Sequence, residues 1–440
     1  MADKLLPKIV FPNKPADEML IGAYVEPLVY GKFIEEHHCQ IGATEAYDDL
    51  KAANFNTLLQ TMSLLNNEPN EYTFEMFEQT SRVNMSFLFR DHEIVGDKNI
   101  ITSKSEEELV EYFKKTYIPL AKKYSSFAGL HFIDEPGYRD WGKSKVIKRA
   151  FKSVLPDKLF FLNLLQLYAP HWAFPNGPVY MPDAEWWLPD DPDYIKYYES
   201  YMKEADPEIF CYDYYPVRHE FPTLLDQYFT QLHLGYIYSK QANIPLLCFI
   251  QNGVWDTTGR IPNDDELRWQ VNTALAYNTK GLCYYTYWVP EPHHKKMCVH
   301  EYGIKTSHYY LVQQINKELL FIDEYILNFA FVGYILIGNT PNGEKPAESE
   351  RIESFGKIKS FSGGDLFVGC FEYNKDDKVY NAYIIVNNSI KNNLHEKLFF
   401  TENTKFTKIH RETKQVLSGE YTNLDMTPGD AFIIIEGEVL

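Results

Sequence analysis

The sequence predicts an α/β fold, a (β/α)₈ TIM barrel followed by a C-terminal antiparallel β-sandwich. Short apolar runs rich in β-branched and aromatic residues recur at intervals of roughly 25 to 45 residues, and segments of helical periodicity separate them, as in repeated βα units. Eight such units favour a closed barrel over an open doubly wound sheet, and no run is followed by a GxGxxG motif. After residue 327 the pattern changes to strands without long helices. We therefore expect a catalytic barrel at residues 1–327 and a β-sandwich at residues 328–440.

The individual elements follow from the period of the apolar residues. The barrel strands are predicted at residues 19–25, 55–60, 84–89, 127–133, 159–165, 209–214, 245–251 and 281–287. Helices, with apolar residues three and four apart, are predicted at residues 46–53, 105–124, 144–154, 192–204, 221–240, 264–277 and 309–328. Strands of the second domain, separated by glycine-containing turns, are predicted at residues 331–337, 366–373, 379–386, 398–400, 405–412 and 431–436.

Composition limits the partners to be expected. A net charge of −18 and a pI near 5.2 argue against nucleic acid, which requires clustered Lys and Arg. The most apolar stretch, residues 325–338, is too short and too polar to span a bilayer, so we expect no membrane partner. No apolar leader opens the chain, which indicates a cytoplasmic protein as given, or a secreted one if a signal peptide was removed. The 16% of aromatic residues can stack on sugars, although aromatic rings also serve as core fillers.

Nothing in the sequence indicates a metal or another cofactor. The six cysteines form no CxxC pair, and three of them lie in apolar runs, as expected of reduced core residues. Two pairs of histidines are direct neighbours in the sequence, at residues 37–38 and 293–294. Direct neighbours lack the spacing that places two imidazoles on one helical face.

Two adjacent carboxylates follow the fourth predicted strand, where Asp134 and Glu135 precede a proline. The C-terminal ends of barrel strands carry the active site in this architecture. Neighbouring acids repel one another, and in a partly desolvated cleft this repulsion raises at least one pKa, as a general acid near neutral pH requires. Asp213 lies in the run that ends the sixth predicted strand and is a candidate partner. The alternative is that these acids only cap loops or hydrogen-bond their backbone.

Other strand ends carry groups that can hydrogen-bond hydroxyls or stack on sugar rings, and each of them could instead cap a loop or pack the barrel mouth. The candidates for substrate binding are Glu26, Gln60, Arg90, Asn163, Tyr212, Tyr215, Gln251, Trp255, Tyr285, Tyr287 and Trp288.

The segments FAGLHFIDEPG and FCYDYYP, together with the run that ends in YYTYW, resemble barrel glycoside hydrolases of the retaining superfamily that ends strand four with an acid before proline. The resemblance covers about residues 24–316 and implies that Glu135 is the acid/base. The usual nucleophile position falls on or near Gln251, which cannot form a glycosyl ester. The Asp-Glu pair is also similar to that of substrate-assisted β-N-acetylhexosaminidases of families 20 and 123. There the Glu protonates the leaving group and the preceding Asp orients the acetamido nucleophile.

Three hypotheses follow from these residues. The first is a glycosidase (an O-glycosyl hydrolase) that cleaves an oligo- or polysaccharide with Glu135 as general acid/base, assisted by Asp213 or by an acetamido group of the substrate. The second is an inverting glycosidase with Asp213 as base, which needs the two carboxyls about 6.5 to 9.5 Å apart. The third is a non-catalytic carbohydrate-binding barrel. Sugar identity, linkage and anomeric configuration stay open at this stage.

Overall fold

The computed structural model describes residues 5–11, 15, 17–29, 39–61, 69–96, 101–137, 140–167, 192–218, 224, 226–254, 260–289, 298–299 and 303–439. Eight strands of the N-terminal part form one parallel sheet: β1 (Leu20–Tyr24), β2 (Thr57–Leu59), β3 (Ser86–Phe89), β4 (Phe127–Asp134), β5 (Leu159–Asn163), β6 (Phe210–Tyr212), β7 (Leu246–Gln251) and β8 (Gly281–Tyr285). Eight helices alternate with them: α1 (Ala43–Ala52), α2 (Pro69–Arg82), α3 (Glu106–Lys123), α4 (Trp141–Val154), α5 (Pro192–Glu204), α6 (Tyr228–Ala242), α7 (Asp264–Ala276) and α8 (Ser307–Ile326). None of these helices is both long and apolar enough to cross a bilayer.

The sheet closes into a barrel. Its hydrogen-bonded order is β5-β4-β3-β2-β1-β8-β7-β6, and the neighbouring strands run parallel. Beyond the end of β5, Leu164 forms a parallel bridge to Tyr212 of β6, and its backbone nitrogen donates to the carbonyl of Cys211 at 3.0 Å. This bridge joins the two ends of the sheet, so the predicted (β/α)₈ barrel is confirmed, and each of the eight predicted strands overlaps an observed one.

The helices pack their apolar faces against the outside of the barrel. A capping box at Ser105 and Glu108 begins α3, where two backbone N–H groups would otherwise lack partners. Phe113 and Tyr117 of this helix then pack edge to face against Phe151 of α4. Full burial of such a side chain stabilises the fold by about 1.5 to 3 kcal/mol. The many aromatic residues of the chain therefore serve largely as core.

The C-terminal part is antiparallel. Its strands are β9 (Phe329–Ile337), β10 (Ile358–Phe361), β11 (Leu366–Lys375), β12 (Lys378–Asn387), β13 (Leu394–His410), β14 (Thr413–Met426) and β15 (Ala431–Glu436). They form one hydrogen-bonded network in the order β10-β13-β15-β12-β11-β9, with β14 on β13. The register of β13 shifts between Phe399 and Thr404. A separate core buries Leu398 against Val368 and Ile434, so the long strands bend over and enclose a second apolar layer, as in a sandwich.

The C-terminal sheet packs against α6 and α7. Phe367 lies against Phe229 of α6 and stacks on Tyr277, which follows α7, with ring centroids 5.2 Å apart in both pairs. The buried Lys280 donates from Nζ to the carbonyls of Ile326 at 2.7 Å and Phe329 at 2.9 Å, which joins the base of β8 to the connection between the two parts. A single apolar core therefore continues from the barrel into the sheet.

Candidate active site

The C-terminal ends of the barrel strands bring together four carboxylates and several other polar and aromatic side chains. This group, called here the mouth cluster, comprises Tyr24, Glu26, Arg90, Asp134, Glu135, Asn163, Gln166, Asp213, Tyr215 and Tyr285.

Asp134 points into the barrel because of a β-bulge in β4. The register of β4 against β5 shifts between His131 and Ile133, and such a bulge re-aims the side chains that follow it. As a result, His131 and Asp134 both approach Tyr24, although they are three residues apart. The Tyr24 hydroxyl donates to Asp134 Oδ2 at 2.7 Å, and Asn163 Nδ2 donates to Oδ1 at 3.0 Å. Both carboxyl oxygens are therefore held as acceptors.

Glu135 follows in a left-handed backbone conformation, with φ of 49°. Such a φ is uncommon for a residue other than glycine, and strain of this kind concentrates at functional sites. Its backbone nitrogen donates to the carbonyl of Asn163 at 2.9 Å, which fixes this turn against β5. Glu135 as a whole is exposed to solvent at the opening of the barrel, and its carboxyl group lies among other side chains of the barrel. Glu135 thus lies within the mouth and is open to a ligand.

Glu135 and Asp213 are hydrogen-bonded to each other. Burial raises the pKa of Glu135 well above its usual range, and the charges of Asp213 and Asp134 raise it further. Burial also raises the pKa of Asp213 to about 7, together with the charge of Asp134, while the hydrogen bond with Glu135 opposes that rise. Glu135 therefore carries the proton of this carboxyl pair and donates a hydrogen bond to Asp213, which is ionised.

The amide of Gln166 lies between the two carboxyls. Oriented with its nitrogen toward them, it donates to Glu135 Oε1 and to Asp213 Oδ1, each at 3.1 Å. Asp213 is only 5% exposed and is also hydrogen-bonded to the side chain of Tyr215. The pair can hold a proton at neutral pH and deliver it into the mouth, which is the chemistry of a general acid.

A second polar group lies at the ends of β1, β2 and β3. Glu26 is fully buried, and its Oε2 accepts from the backbone nitrogen and the hydroxyl of Thr61 at 2.9 and 3.1 Å. Burial raises the pKa of Glu26 to about 7, and nearby Arg90 opposes that rise. Arg90 also interacts with the charge of Asp134. The side-chain oxygen of Gln60 accepts from the Arg90 backbone at 3.2 Å.

Aromatic rings form one wall of the mouth. Tyr285, at the end of β8, is half-buried, stacks on Tyr24 with centroids 5.9 Å apart, and lies 5.0 Å from the ring of Tyr215. Burial raises the pKa of Tyr24 well above its usual range, so this phenol stays protonated and can donate to Asp134. The ring of Tyr285 is placed where a sugar could stack.

Four of the residues predicted to bind substrate lie elsewhere. Gln251 is buried, and its amide bonds Val217 N at 2.8 Å, Val217 O at 3.2 Å and Arg260 O at 3.2 Å, so it anchors loop backbone. Tyr212 points outward from the barrel, against Gly235 of α6. Tyr287 is buried and packs on Phe55, and Trp288 is buried as well. Trp255 lies outside the described residues.

Tyr24 belongs to the mouth cluster, although the prediction of catalytic and binding residues did not include it. Its position at the end of the first strand was the available signal. Gln166, like Asn163, was predicted from its position around the end of the fifth strand as a group that can hydrogen-bond hydroxyls. Among the described residues, no group of three or more His, Cys, Asp or Glu side chains could hold a metal ion. The six cysteines form no disulfide.

Comparison with known proteins shows a likeness in fold. No family model matches the chain, and no curated protein matches its sequence. Among solved structures, the α-L-arabinofuranosidase of Thermotoga maritima, in complex with arabinose, superposes with a TM-score of 0.52 at 10% identity, over 99% of this chain and 98% of that one. A variant of the family 27 β-L-arabinopyranosidase of Geobacillus stearothermophilus, also with arabinose, gives 0.51 at 8% identity, over 97% and 98%. A protein described as a glycoside hydrolase gives 0.53 at 9% identity, over 99% and 98%. This chain therefore shares the barrel-plus-sheet architecture of these proteins.

Proposed function

We propose that the protein is a glycosidase in which Glu135 is the proton donor. The observation that carries this proposal is the hydrogen-bonded Glu135–Asp213 pair, which lies beside Asp134 at the strand ends where barrel enzymes carry out their chemistry. Glycoside hydrolases usually act through two carboxyl groups, one of them protonated and the other ionised. The similar folds named above include enzymes that act on arabinosides, which supports the same class of reaction.

In the proposed reaction, Glu135 gives its proton to the glycosidic oxygen as the bond to the anomeric carbon breaks. Positive charge then develops on the sugar ring. Asp134, held by Tyr24 and Asn163, is the carboxylate that stabilises this charge, or that orients an acetamido group if the substrate carries one. As the leaving group departs, a carboxyl oxygen of Asp134, or the acetamido oxygen that Asp134 orients, forms a bond to the anomeric carbon. Water then displaces that oxygen from the anomeric carbon, and the proton that the water loses returns to Glu135.

The contact between Glu135 and Asp213 argues against inversion with Asp213 as the base. An inverting pair needs about 6.5 to 9.5 Å between its carboxyls to seat a water, and a hydrogen-bonded pair leaves no such room. We therefore propose a retaining reaction, whether through Asp134 or through the substrate's own acetamide. NMR of the first-formed anomer tests this: net inversion would overturn it.

The test of the activity itself is turnover of aryl glycosides. Aryl α-L-arabinofuranosides and β-L-arabinopyranosides are the first substrates, because the similar folds include enzymes for these sugars. An aryl N-acetyl-β-D-glucosaminide tests the acetamide route. Glu135→Gln should lower kcat/KM by about 10² to 10⁴-fold for poor leaving groups and much less for dinitrophenolate, which needs no proton. Glu111→Gln, at an exposed site on α3, is the matched control.

A non-catalytic carbohydrate-binding barrel is the second candidate. The resemblance to retaining glycoside hydrolases puts the usual nucleophile on or near Gln251, which is not an acid and whose amide anchors loop backbone. Calorimetry separates the two. Saccharide binding without turnover of any aryl glycoside by the wild type would favour the binder.

A further inference from the structure

Gln166 is the only amide shown to donate to both members of the carboxyl pair within the described part of the chain. Its nitrogen lies 3.1 Å from Glu135 Oε1 and 3.1 Å from Asp213 Oδ1. The opposite orientation would set the amide oxygen against two acceptors, whereas the NH₂ group offers one donor to each. The two N–H groups of the amide therefore match the two carboxyl oxygens in number and in distance.

The backbone on both sides of Gln166 is held by α5 and α6. Leu165 N donates to the Tyr197 hydroxyl at 3.3 Å, and Leu165 O accepts from the Tyr198 hydroxyl at 3.3 Å. Leu167 N donates to Gln231 Oε1 at 3.0 Å. A loop residue anchored on each side is pre-organised, so little freedom remains to be lost when its side chain acts.

The same network fixes Gln166 relative to Glu135. The Tyr197 hydroxyl accepts from Leu165 N and donates to the carbonyl of Pro136 at 2.8 Å, and Pro136 directly follows Glu135. One buried phenol thus joins the segment that carries the acid to the segment that carries the amide.

We propose that Gln166 is a positioning residue of the carboxyl pair: its two N–H groups hold Asp213 as the carboxylate and keep the proton on Glu135 within reach of the mouth. This inference rests on the proposed function, because it assigns how the acid of that reaction is prepared. Asp213 does not touch the substrate in this scheme. It acts through Glu135, and Gln166 acts on both.

The proposal predicts a specific change in pH dependence. Donors near a carboxyl group favour its ionised form, so their removal raises the pH at which each member of the pair loses its proton. Gln166→Met, which keeps the length of the side chain and loses both donors, should move both limbs of the kcat/KM profile to higher pH by about one unit. Gln166→Leu is the second variant in case the first fails to fold. Gln313→Met, on the exposed side of α8, is the control and should leave the profile in place.

Infrared titration of the protonated carboxyl band provides a readout that needs no turnover. The band is assigned by its loss in Glu135→Gln, and its midpoint should rise in Gln166→Met. If the wild type hydrolyses no glycoside and this midpoint still rises, the proposed function fails and the inference on Gln166 stands. If the wild type is active, and both the pH profile and the band of Gln166→Met match the wild type, the inference is overturned. If Gln166→Met only lowers thermal stability, and neither the pH profile nor the midpoint of the band shifts, Gln166 has a purely structural role. That result would also overturn the inference.

Discussion

At the residue scale, the proposed reaction makes activity depend on pH in both directions. In that reaction the active form carries one proton, on Glu135, while Asp213 is ionised. Because burial raises the pKa of Asp213 to about 7, activity should fall as the pH drops below neutral and Asp213 takes up a proton. Activity should also fall at higher pH, where Glu135 loses the proton that burial and its neighbours help it retain. The two limbs belong to the pair as a unit.

Asp213→Asn tests this assignment. The change removes the negative charge that helps to raise the pKa of Glu135, so the alkaline limb of kcat/KM should move to lower pH. The acid limb attributed to Asp213 should disappear. An unchanged bell-shaped profile in this variant would show that other groups titrate.

Glu26 makes stability, rather than activity, depend on pH. Its pKa rises from 4.5 to about 7 on folding, so between these values the folded chain binds more protons than the unfolded chain. The free energy of unfolding therefore falls as the pH rises through this window, by as much as about 3 kcal/mol for a shift of this size.

Glu26→Gln removes this titration and keeps an acceptor for Thr61. In urea unfolding followed by tryptophan fluorescence, the variant should gain stability relative to the wild type between pH 4.5 and pH 8. Parallel pH curves for the two proteins would show that Glu26 does not titrate in this range. The exposed substitution Glu111→Gln is again the control.

The sequence predicts the acids of the site better than its other members. A carboxylate at a strand end can be read directly, and Asp134, Glu135 and Asp213 all lie in the mouth. Whether a residue faces the barrel interior depends on the phase of the pleat and on bulges such as the one after His131, which no apolar pattern records. Tyr212 consequently points to a helix. Tyr287 and Trp288 are core, because aromatic character alone does not separate a rim from a core.

At the element scale, helix α6 depends on a cap from outside the barrel. The N-cap residue before it, Gln227, has φ of 69° and its side chain caps no backbone N–H of the helix. The carboxylate of Glu344, from the segment after β9, accepts instead from Phe229 N at 2.9 Å and from Thr230 N at 2.7 Å. The negative charge also suits the positive end of the helix. The C-terminal part thus completes a barrel helix.

Glu344→Ala should destabilise the protein by about 1 to 2 kcal/mol, as expected for the loss of a helix cap. The effect should appear as a lower midpoint of thermal unfolding. Glu348→Ala, which removes only an exposed ion pair to Arg351, is the matched control and should change stability little. Equal midpoints for the two variants would contradict the capping role.

Strands with a continuous apolar run were predictable, and strands without one were not. The barrel strands are buried and read as continuous apolar runs, so all eight were found. Strand β14 has many exposed residues and pairs only with β13, so it lacks a clear apolar face. It was missed, as was the short strand β10. Helix α2 was missed as well, although its apolar side chains recur at helical spacing.

At the scale of the whole molecule, the shared core implies that barrel and C-terminal sheet unfold together. Phe367 stacks on the barrel's Tyr277, Trp269 Nε1 donates to Asn388 Oδ1 at 2.8 Å, and Lys280 binds the carbonyls that flank the junction. Apolar interfaces of this kind couple domains, whereas polar and loosely packed ones let them move independently. The contact is made on α6 and α7, the helices that flank β7. Both come later in the chain than Asp213, which directly follows β6. Bracing of this part of the barrel is therefore the role we expect for the sheet.

Differential scanning calorimetry of the full chain should accordingly show one cooperative transition. Lys280→Met removes both hydrogen bonds at the junction and leaves buried carbonyls without a donor, so it should lower the midpoint of that single transition. Lys114→Met, at a half-exposed site on α3, controls for the loss of a positive charge. Two separate transitions in the wild type, or a Lys280→Met effect confined to one of them, would show that barrel and sheet are independent units. In that case a variant such as Glu344→Ala should affect the barrel transition alone.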